Sequence, residues 1–330
     1  IKLSDKKVLV TPGNHNTALG ISLTLLNLNS TYDILIVEMG ISKRGEMAYL
    51  ANLVRPTHAL ITKIGHSHME GLGSLDDIAG EKRDIFKYFN EDSIGVINGD
   101  ITLLSAIAYK HPIVKFGCKT VNQVQARKIQ HKGNNTTFTL KLYRDRYNVT
   151  LSTNHLGRVE NSLAASAIAY ILGINNKFIV DGIQSFTFIE SRFELKSIKK
   201  GKGIVIDDCY NASPESMKAA LIAFEKIEAQ GPKIAVLGDM LELGVNTPFW
   251  HRQLGRLLRK APSLQRVILV GNHVQWAQKT VPLSISLDFV KNWQEATKNL
   301  EQTLEQDSVV LVKGSHGMDL SNLVKQLTEV

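Results

Sequence analysis

Four residues in the first third of the sequence have types and spacings suited to phosphate chemistry: Glu38, His66, His68 and Lys82. One carboxylate and one neutral imidazole, with water or substrate oxygens in the remaining positions, match a hard divalent cation that carries phosphate groups. The histidines with a glutamate could instead bind zinc. Against zinc, Cys118 and Cys209 stand in no metal-ligand spacing, and His66-Ser67-His68 alone is a weak zinc pattern. Each residue also has a plainer reading. Glu38 could be a charge at a helix N-terminus near Ser42, His66 a solvated loop residue, and Lys82 a solvated helix lysine paired with Asp77 or Glu81.

These residues need elements to position them. Tyr32 to Val37 is a short apolar run rich in β-branched residues that stops at Glu38-Met39-Gly40, as in a strand buried on both faces. His58 to Ile64 is a second such run, ending in Gly65-His66-Ser67-His68, and a helix-like segment from Arg44 to Leu53 separates the two. The pattern predicts a βαβ unit in one parallel sheet, with Glu38 and the histidines at the carboxyl edge where open sheets bind ligands. Upstream, Val8-Leu9-Val10 predicts a first strand. The loop Thr11 to Gly20 follows, where Pro12, Gly13 and Asn14 break regular structure and backbone N–H groups could meet a phosphate, and then a helix over Ile21 to Leu28. Ser74 with Asp77 is a near match to a capping box and opens a helix predicted to reach about Phe89, carrying Lys82.

The 330 residues, 43% hydrophobic and 21% charged, provide for about two domains with cores of their own. The net charge of +8 is spread over many lysines, densest at Lys196, Lys199, Lys200 and Lys202, and fits small anionic substrates. No aromatic-interleaved basic stripe points to nucleic acid. Two cysteines without a framework indicate a reducing compartment, and no apolar run approaches the ~20 residues of a membrane span, so the expectation is a cytoplasmic protein without membrane insertion. The opening Ile1 to Lys7 runs straight towards a strand, which predicts that the chain begins inside a domain.

Strands are predicted at Ser93 to Asp100 and Pro112 to Gly117. Short period-two runs follow at Phe138 to Leu142 and Tyr147 to Leu151, an antiparallel appendage. A helix over Glu160 to Leu172 ends at Gly173. From about 190 a second α/β pattern begins. Buried strands over Ile204 to Asp208, Lys233 to Asp239, Arg266 to Gly271 and Ser308 to Gly314 alternate with helical segments, the first of them opened by Pro214.

At this level of detail the chain resembles the ATP-dependent Mur ligases of peptidoglycan synthesis, and among them the D-alanyl-D-alanine-adding type. The likeness rests on Thr11-Pro12-Gly13-Asn14, Glu38-Met39-Gly40, Val54-Arg55-Pro56, His68 through Ser74, and Lys82 fourteen positions after His68. In the second half it rests on Asp207-Asp208-Cys209-Tyr210-Asn211-Ala212-Ser213-Pro214, on Leu237 to Gly244 (Leu-Gly-Asp-Met-Leu-Glu-Leu-Gly), and on Val312-Lys313-Gly314-Ser315. The resemblance implies an α/β protein in two domains. Residues 1–190 would be a truncated central Mur-ligase ATPase domain, with a mostly parallel sheet and a small antiparallel appendage. Residues 191–330 would be a C-terminal Rossmann-like doubly wound domain.

The resemblance further implies ATP and Mg2+ as cofactors, UDP-N-acetylmuramoyl-tripeptide and D-alanyl-D-alanine as substrates, an acyl-phosphate route, and a monomer. Glu38 and His68 would hold the metal, and a carbamylated Lys82 would add a negative charge beside it. Asn161, Arg192, Asp208, Tyr210 and Asn211 would contact the nucleotide, and Asn14, Asn16, Lys313 and Ser315 the substrates. The sequence departs from the family pattern in four places. No Gly-x-x-Gly-Lys-Thr phosphate loop occurs, His66 stands where an acid is frequent, Gly157-Arg158 replaces a His-Asn pair, and His316 replaces an arginine. An incomplete chain of a full ligase is the expectation. The alternatives are a nucleotide- or partner-binding homologue without the loop and an amino-acid ligase of another pathway.

Overall fold

A computed structural model describes residues 5–186 and 189–328, so the expectation for Ile1 to Ser4 lies outside the described residues. The chain folds as two units. The first comprises Ile1–Ile64, Gly71–Thr153 and Gly157–Phe186; the second comprises Gly65–Glu70, Asn154–Leu156 and Thr187–Val330.

In the first unit, β1 (Val8–Val10) pairs in parallel with β2 (Ile34–Ile36) as a two-stranded sheet. The strands β3 (His58–Ile61), β4 (Ile94–Asn98), β5 (Ile113–Gly117), β6 (Val124–Lys132), β7 (Asn135–Leu142) and β8 (Asp145–Leu151) form a six-stranded sheet in that spatial order. The ladders from β3 to β6 are parallel, and β6–β7 and β7–β8 are antiparallel. The antiparallel appendage therefore continues the parallel sheet. Its alternation is visible in β7, where Thr136, Phe138, Leu140 and Leu142 are buried and the residues between them are not. Phe138 and Leu140 pack with Leu163 and Ala167 of the helix Leu156–Ile171. Gly173, in the left-handed region at φ 72°, follows that helix.

Three expectations fail here. Among the described residues β2 and β3 share no ladder, so the βαβ unit within one sheet is not formed. β2 is also half-buried at Ile34 and Leu35 and exposed at Ile36, and so is not covered on both faces. An apolar run encodes a preference for burial but not the neighbour that will pair with it, and here β2 takes its partner from upstream. The helix predicted from Ser74 to Phe89 is shorter, Leu75–Arg83 followed by a single 3₁₀ turn at Asp84–Phe86. Its capping box forms as expected, with the Asp77 amide donating to Ser74 Oγ at 3.2 Å and the Ser74 amide to Asp77 Oδ2 at 2.9 Å.

The second unit holds β9 (Glu194–Ile198), β10 (Gly203–Asp208), β11 (Lys233–Gly238), β12 (Leu264–Val270), β13 (Ser286–Val290) and β14 (Ser308–Lys313). The spatial order is β13-β12-β11-β14-β10-β9, parallel throughout except for the antiparallel edge strand β9. Successive residues of the inner strands feed opposite cores. Ile206, Leu237, Leu269 and Leu311 pack with Leu221, Phe224 and Leu254, while Val205, Val236, Ile268 and Val310 pack with Leu300, Leu323 and Leu327. Helices thus cover both faces, which is the doubly wound arrangement. The helix Pro214–Glu225 starts with Ser213 as N-cap and proline at its first position. The edge strands β9 and β13, mostly half-buried or exposed apart from Ile198, carry too little apolar pattern to stand out in the sequence.

Candidate functional site

In the second unit the carboxyl ends of three adjacent strands gather the second-half motifs. Asp208 closes β10 and faces Lys313 at the end of β14, and Lys313 in turn faces Leu237 near the end of β11. Lys313 is fully buried. Its ammonium lies 2.8 Å from Asp208 Oδ2 and donates to the Asn211 carbonyl at 2.8 Å. Burial pushes the Asp208 carboxyl above the ordinary range, and Lys313 and the Phe193 amide, 3.1 Å from Oδ1, draw it back. Beside this pair Tyr210 is exposed, with the Arg192 guanidinium 4.0 Å from its ring centroid. Asp208, Tyr210, Asn211, Arg192 and Lys313 are thereby brought together, a cationic and aromatic surface next to a buried ion pair.

The loop after β11 is held from three sides. The Asp239 carboxylate accepts the amides of Asn272, His273 and Val274 at 2.9, 2.9 and 2.7 Å. The Met240 amide donates to Nε2 of His251 at 3.1 Å, and the Leu241 amide to Ser315 Oγ at 2.9 Å. His251 is completely buried, and its Nδ1 donates to the Thr247 carbonyl at 2.8 Å, so Nε2 is free to accept and the ring is neutral. Burial lowers its pKa. Ser315 likewise spends its hydroxyl on the loop.

The segment Gly65–Glu70 belongs to this unit although it follows β3 in sequence. His66 is not a solvated loop residue. Its amide donates to Glu215 Oε2 at 3.2 Å, its Nδ1 pairs with Glu215 Oε1, and its ring centroid lies 4.3 Å from that of Trp250. His68 stands in the left-handed region at φ 58°, and its Nδ1 lies 2.5 Å from Glu242 Oε2. Neither Glu215 nor Glu242 stands out in the sequence as a partner of the histidines. Glu242 lies within a motif run and Glu215 directly follows one, but nothing local links Glu215 to a histidine 149 positions away.

In the first unit Glu38 lies two residues beyond β2 and is exposed. Its amide donates to Thr11 Oγ1 at 3.1 Å, and Oε1 accepts from Asn16 Nδ2 at 3.3 Å. Asn14 joins the same loop through its carbonyl, which accepts the Asn16 amide at 2.7 Å. Glu38 does not sit in the first turn of a helix, since the next one begins at Glu46, which itself holds the amides of Ser42 and Lys43. Lys82 does not pair with Asp77 or Glu81. Glu81 takes the amides of Gly45 and Met47, Asp77 pairs with Arg44 at 3.1 Å, and half-buried Lys82 donates to the Lys63 carbonyl at 3.0 Å. Burial lowers the Lys82 pKa. Asn161 is exposed on the helix Leu156–Ile171. Among the described residues no three His, Cys, Asp or Glu side chains form a ready metal cluster.

The site in the second unit is thus a strand edge lined with polar groups beside a basic and aromatic surface. Residues 2–169 match the Mur ligase middle domain and residues 191–316 the Mur ligase, glutamate ligase domain. The chain belongs to the Mur ligase family. It is 34% identical over 327 residues to the UDP-N-acetylmuramoyl-tripeptide–D-alanyl-D-alanine ligase of Bacillus subtilis (strain 168), covering 98% of this chain and 70% of that protein. Among solved structures it is similar to MurF from Acinetobacter baumannii, with a TM-score of 0.87 at 27% identity over 99% of this chain and 71% of that one. MurF ligase from Thermotoga maritima in complex with ADP gives a TM-score of 0.84 at 26% identity, over 98% and 73%. The mixed α/β architecture with mostly parallel sheets is the one these neighbours have.

Proposed function

We propose that this chain carries the central and C-terminal parts of an ATP-dependent ligase of peptidoglycan precursor synthesis, one that adds D-alanyl-D-alanine to UDP-N-acetylmuramoyl-tripeptide. The observation that supports it most is the collection of Asp208, Lys313 and the Leu237–Gly244 loop at the carboxyl ends of three neighbouring parallel strands, in a chain similar along nearly its whole length to ligases of that name. In this reading the tripeptide carboxylate attacks the γ-phosphate of ATP, ADP leaves, and the amine of D-alanyl-D-alanine displaces phosphate from the acyl phosphate. Such chemistry is mainly positioning and charge stabilisation. The enzyme acts as a cytoplasmic monomer; among the described residues no helix is long and apolar enough to cross a membrane.

Glu38 and His68 are the proposed metal ligands, with magnesium as the proposed ion. Glu38 is an exposed carboxylate, an oxygen donor of the kind magnesium takes, and the half-buried His68 would offer an imidazole nitrogen. When bound, magnesium supplies neutralising charge to the phosphate oxygens. Lys82 is proposed to carry a carbamate. Its neutral amine adds to carbon dioxide, a proton leaves to solvent, and the residue gains a carboxylate, a step that requires the lowered pKa that burial gives it. The Arg192–Tyr210 surface, with Asp208, Asn211 and Asn161, takes the nucleotide. Asn14, Asn16, Lys313 and Ser315 serve the substrates, Lys313 and Ser315 by fixing the strand ends that face them.

The experiment is a chimera joining the upstream part of the Bacillus subtilis relative, through its phosphate loop, to this chain. Phosphate release from ATP should require UDP-N-acetylmuramoyl-tripeptide and D-alanyl-D-alanine together. Release supported equally by single amino acids in place of the dipeptide would contradict the assignment.

A further inference from the structure

The turn that follows β11 is held largely by side chains from elsewhere. The Met240 amide donates to His251 Nε2 at 3.1 Å and the Leu241 amide to Ser315 Oγ at 2.9 Å, and Thr247 Oγ1 donates to the Gly244 carbonyl at 2.7 Å. Glu242 stands in the left-handed region at φ 62°, unfavourable for a glutamate, so the turn keeps its shape only while such bonds hold it. Met240 is buried, whereas Leu241 and Glu242 are exposed at the carboxyl edge of the sheet, beside the end of β14.

The bond to His251 differs from the others because its acceptor can take up a proton. The ring, on the helix Thr247–Leu257, is completely buried, and its Nδ1–H is committed to the Thr247 carbonyl at 2.8 Å. An added proton therefore goes to Nε2 and turns the acceptor of the Met240 amide into a second donor facing it. The titratable groups facing the ring are Asp239, whose Oδ1 lies 4.0 Å from Nε2, and His273, with ring centroids 5.9 Å apart. Asp239 is the alternative acceptor for that proton, but its Oδ1 already takes the amides of His273 and Val274. A charged ring must displace either Met240 or the loop after β12.

We propose that His251 is a positioning residue of the ligase and a pH-dependent latch: neutral, it fixes Met240 to Glu242 at the strand edge, and protonated, it releases the turn and the site loses competence. This rests on the reading of that edge as part of the ligase site.

Amide hydrogen exchange of the 330-residue chain, corrected for the intrinsic effect of pH, reads the latch. An opening that frees the ring lets it bind a proton below its ordinary pKa of about 6.5, so protection of the Met240 and Leu241 amides should fall by up to about tenfold per pH unit below that value. The opening is local, so dilute urea should leave it unchanged. His251→Gln keeps an oxygen acceptor near the place of Nε2 and takes up no proton, and should make this protection independent of pH. His251→Asn, too short to reach Met240, should lower it about tenfold or more at about pH 7.5. In the chimera, phosphate release should decline below about pH 6.5 more steeply with the natural residue than in the His251→Gln variant. Equal pH dependence of protection in the natural chain and His251→Gln would overturn the latch, and equal activity profiles would overturn the positioning role. If no chimera releases phosphate at any pH, the ligase reading fails and the positioning role falls with it, while exchange decides the latch by itself.

Discussion

The two edges that carry the candidate residues are built in opposite ways. In the second unit the strand ends are buried and their polar groups are already paired: Lys313 is 1% exposed and bonded to Asp208 and Asn211, and Asp239 holds three amides. In the first unit the edge around β1 and β2 is open. Val10 is 51% and Ile36 41% exposed, Leu26 on the helix Ala18–Leu26 is 82% exposed, and Glu38 has an exposed side chain bonded only at the limit of hydrogen-bond length to Asn16. Residues that look alike in a motif therefore differ physically. Some of them hold a frame, and others are free to meet a ligand.

This contrast can be broken by mutation. The largest effect is expected for Lys313→Met, which leaves Asp208 buried without its partner. It should destabilise the second unit by about 3–5 kcal/mol in urea unfolding, and a loss below about 1 kcal/mol would show that the pair is not a structural bond. Ser213→Ala removes the N-cap of the helix Pro214–Glu225 and should cost about 1 kcal/mol in the same transition.

A pH dependence follows from His251. Its folded pKa is lowered by burial, so the folded state holds the ring neutral while the unfolded state takes up a proton below its ordinary pKa of about 6.5. Stability from this site is complete above about pH 6.5 and is lost as pH falls through that value towards the lowered folded pKa. Urea midpoints of the second unit should decline over that range, and His251→Asn should flatten the slope although it lowers stability at every pH. The smallest effect is expected for Glu38→Gln, within about 0.5 kcal/mol, because the side chain is exposed. A larger loss there would erase the distinction between the two edges.

Features encoded within a few residues were legible in the sequence. The capping box at Ser74 and Asp77, Pro214 at a helix start and the buried runs of β10, β11, β12 and β14 all stand where local chemistry puts them. Pairing over long separations was not. The two-stranded β1–β2 sheet and the Glu215 and Glu242 contacts to the histidines depend on which distant segments meet, and His66 has no local pattern to distinguish it from a loop residue. Lys82 and Glu38 stand out by type and spacing, but the sequence could not separate Lys82 from its acidic neighbours, which the structure occupies with backbone amides.

The ligase account turns on phosphate handling, and phosphate release from ATP tests it most directly. The 330-residue chain and the chimera bearing a Gly-x-x-Gly-Lys-Thr loop would be compared with UDP-N-acetylmuramoyl-tripeptide and D-alanyl-D-alanine present. Loss of one charge-stabilising group costs roughly a hundredfold or more, so the chain alone should be slower by at least that factor. Equal rates from the two proteins would mean that these residues hold and activate ATP by another route, and would contradict the account.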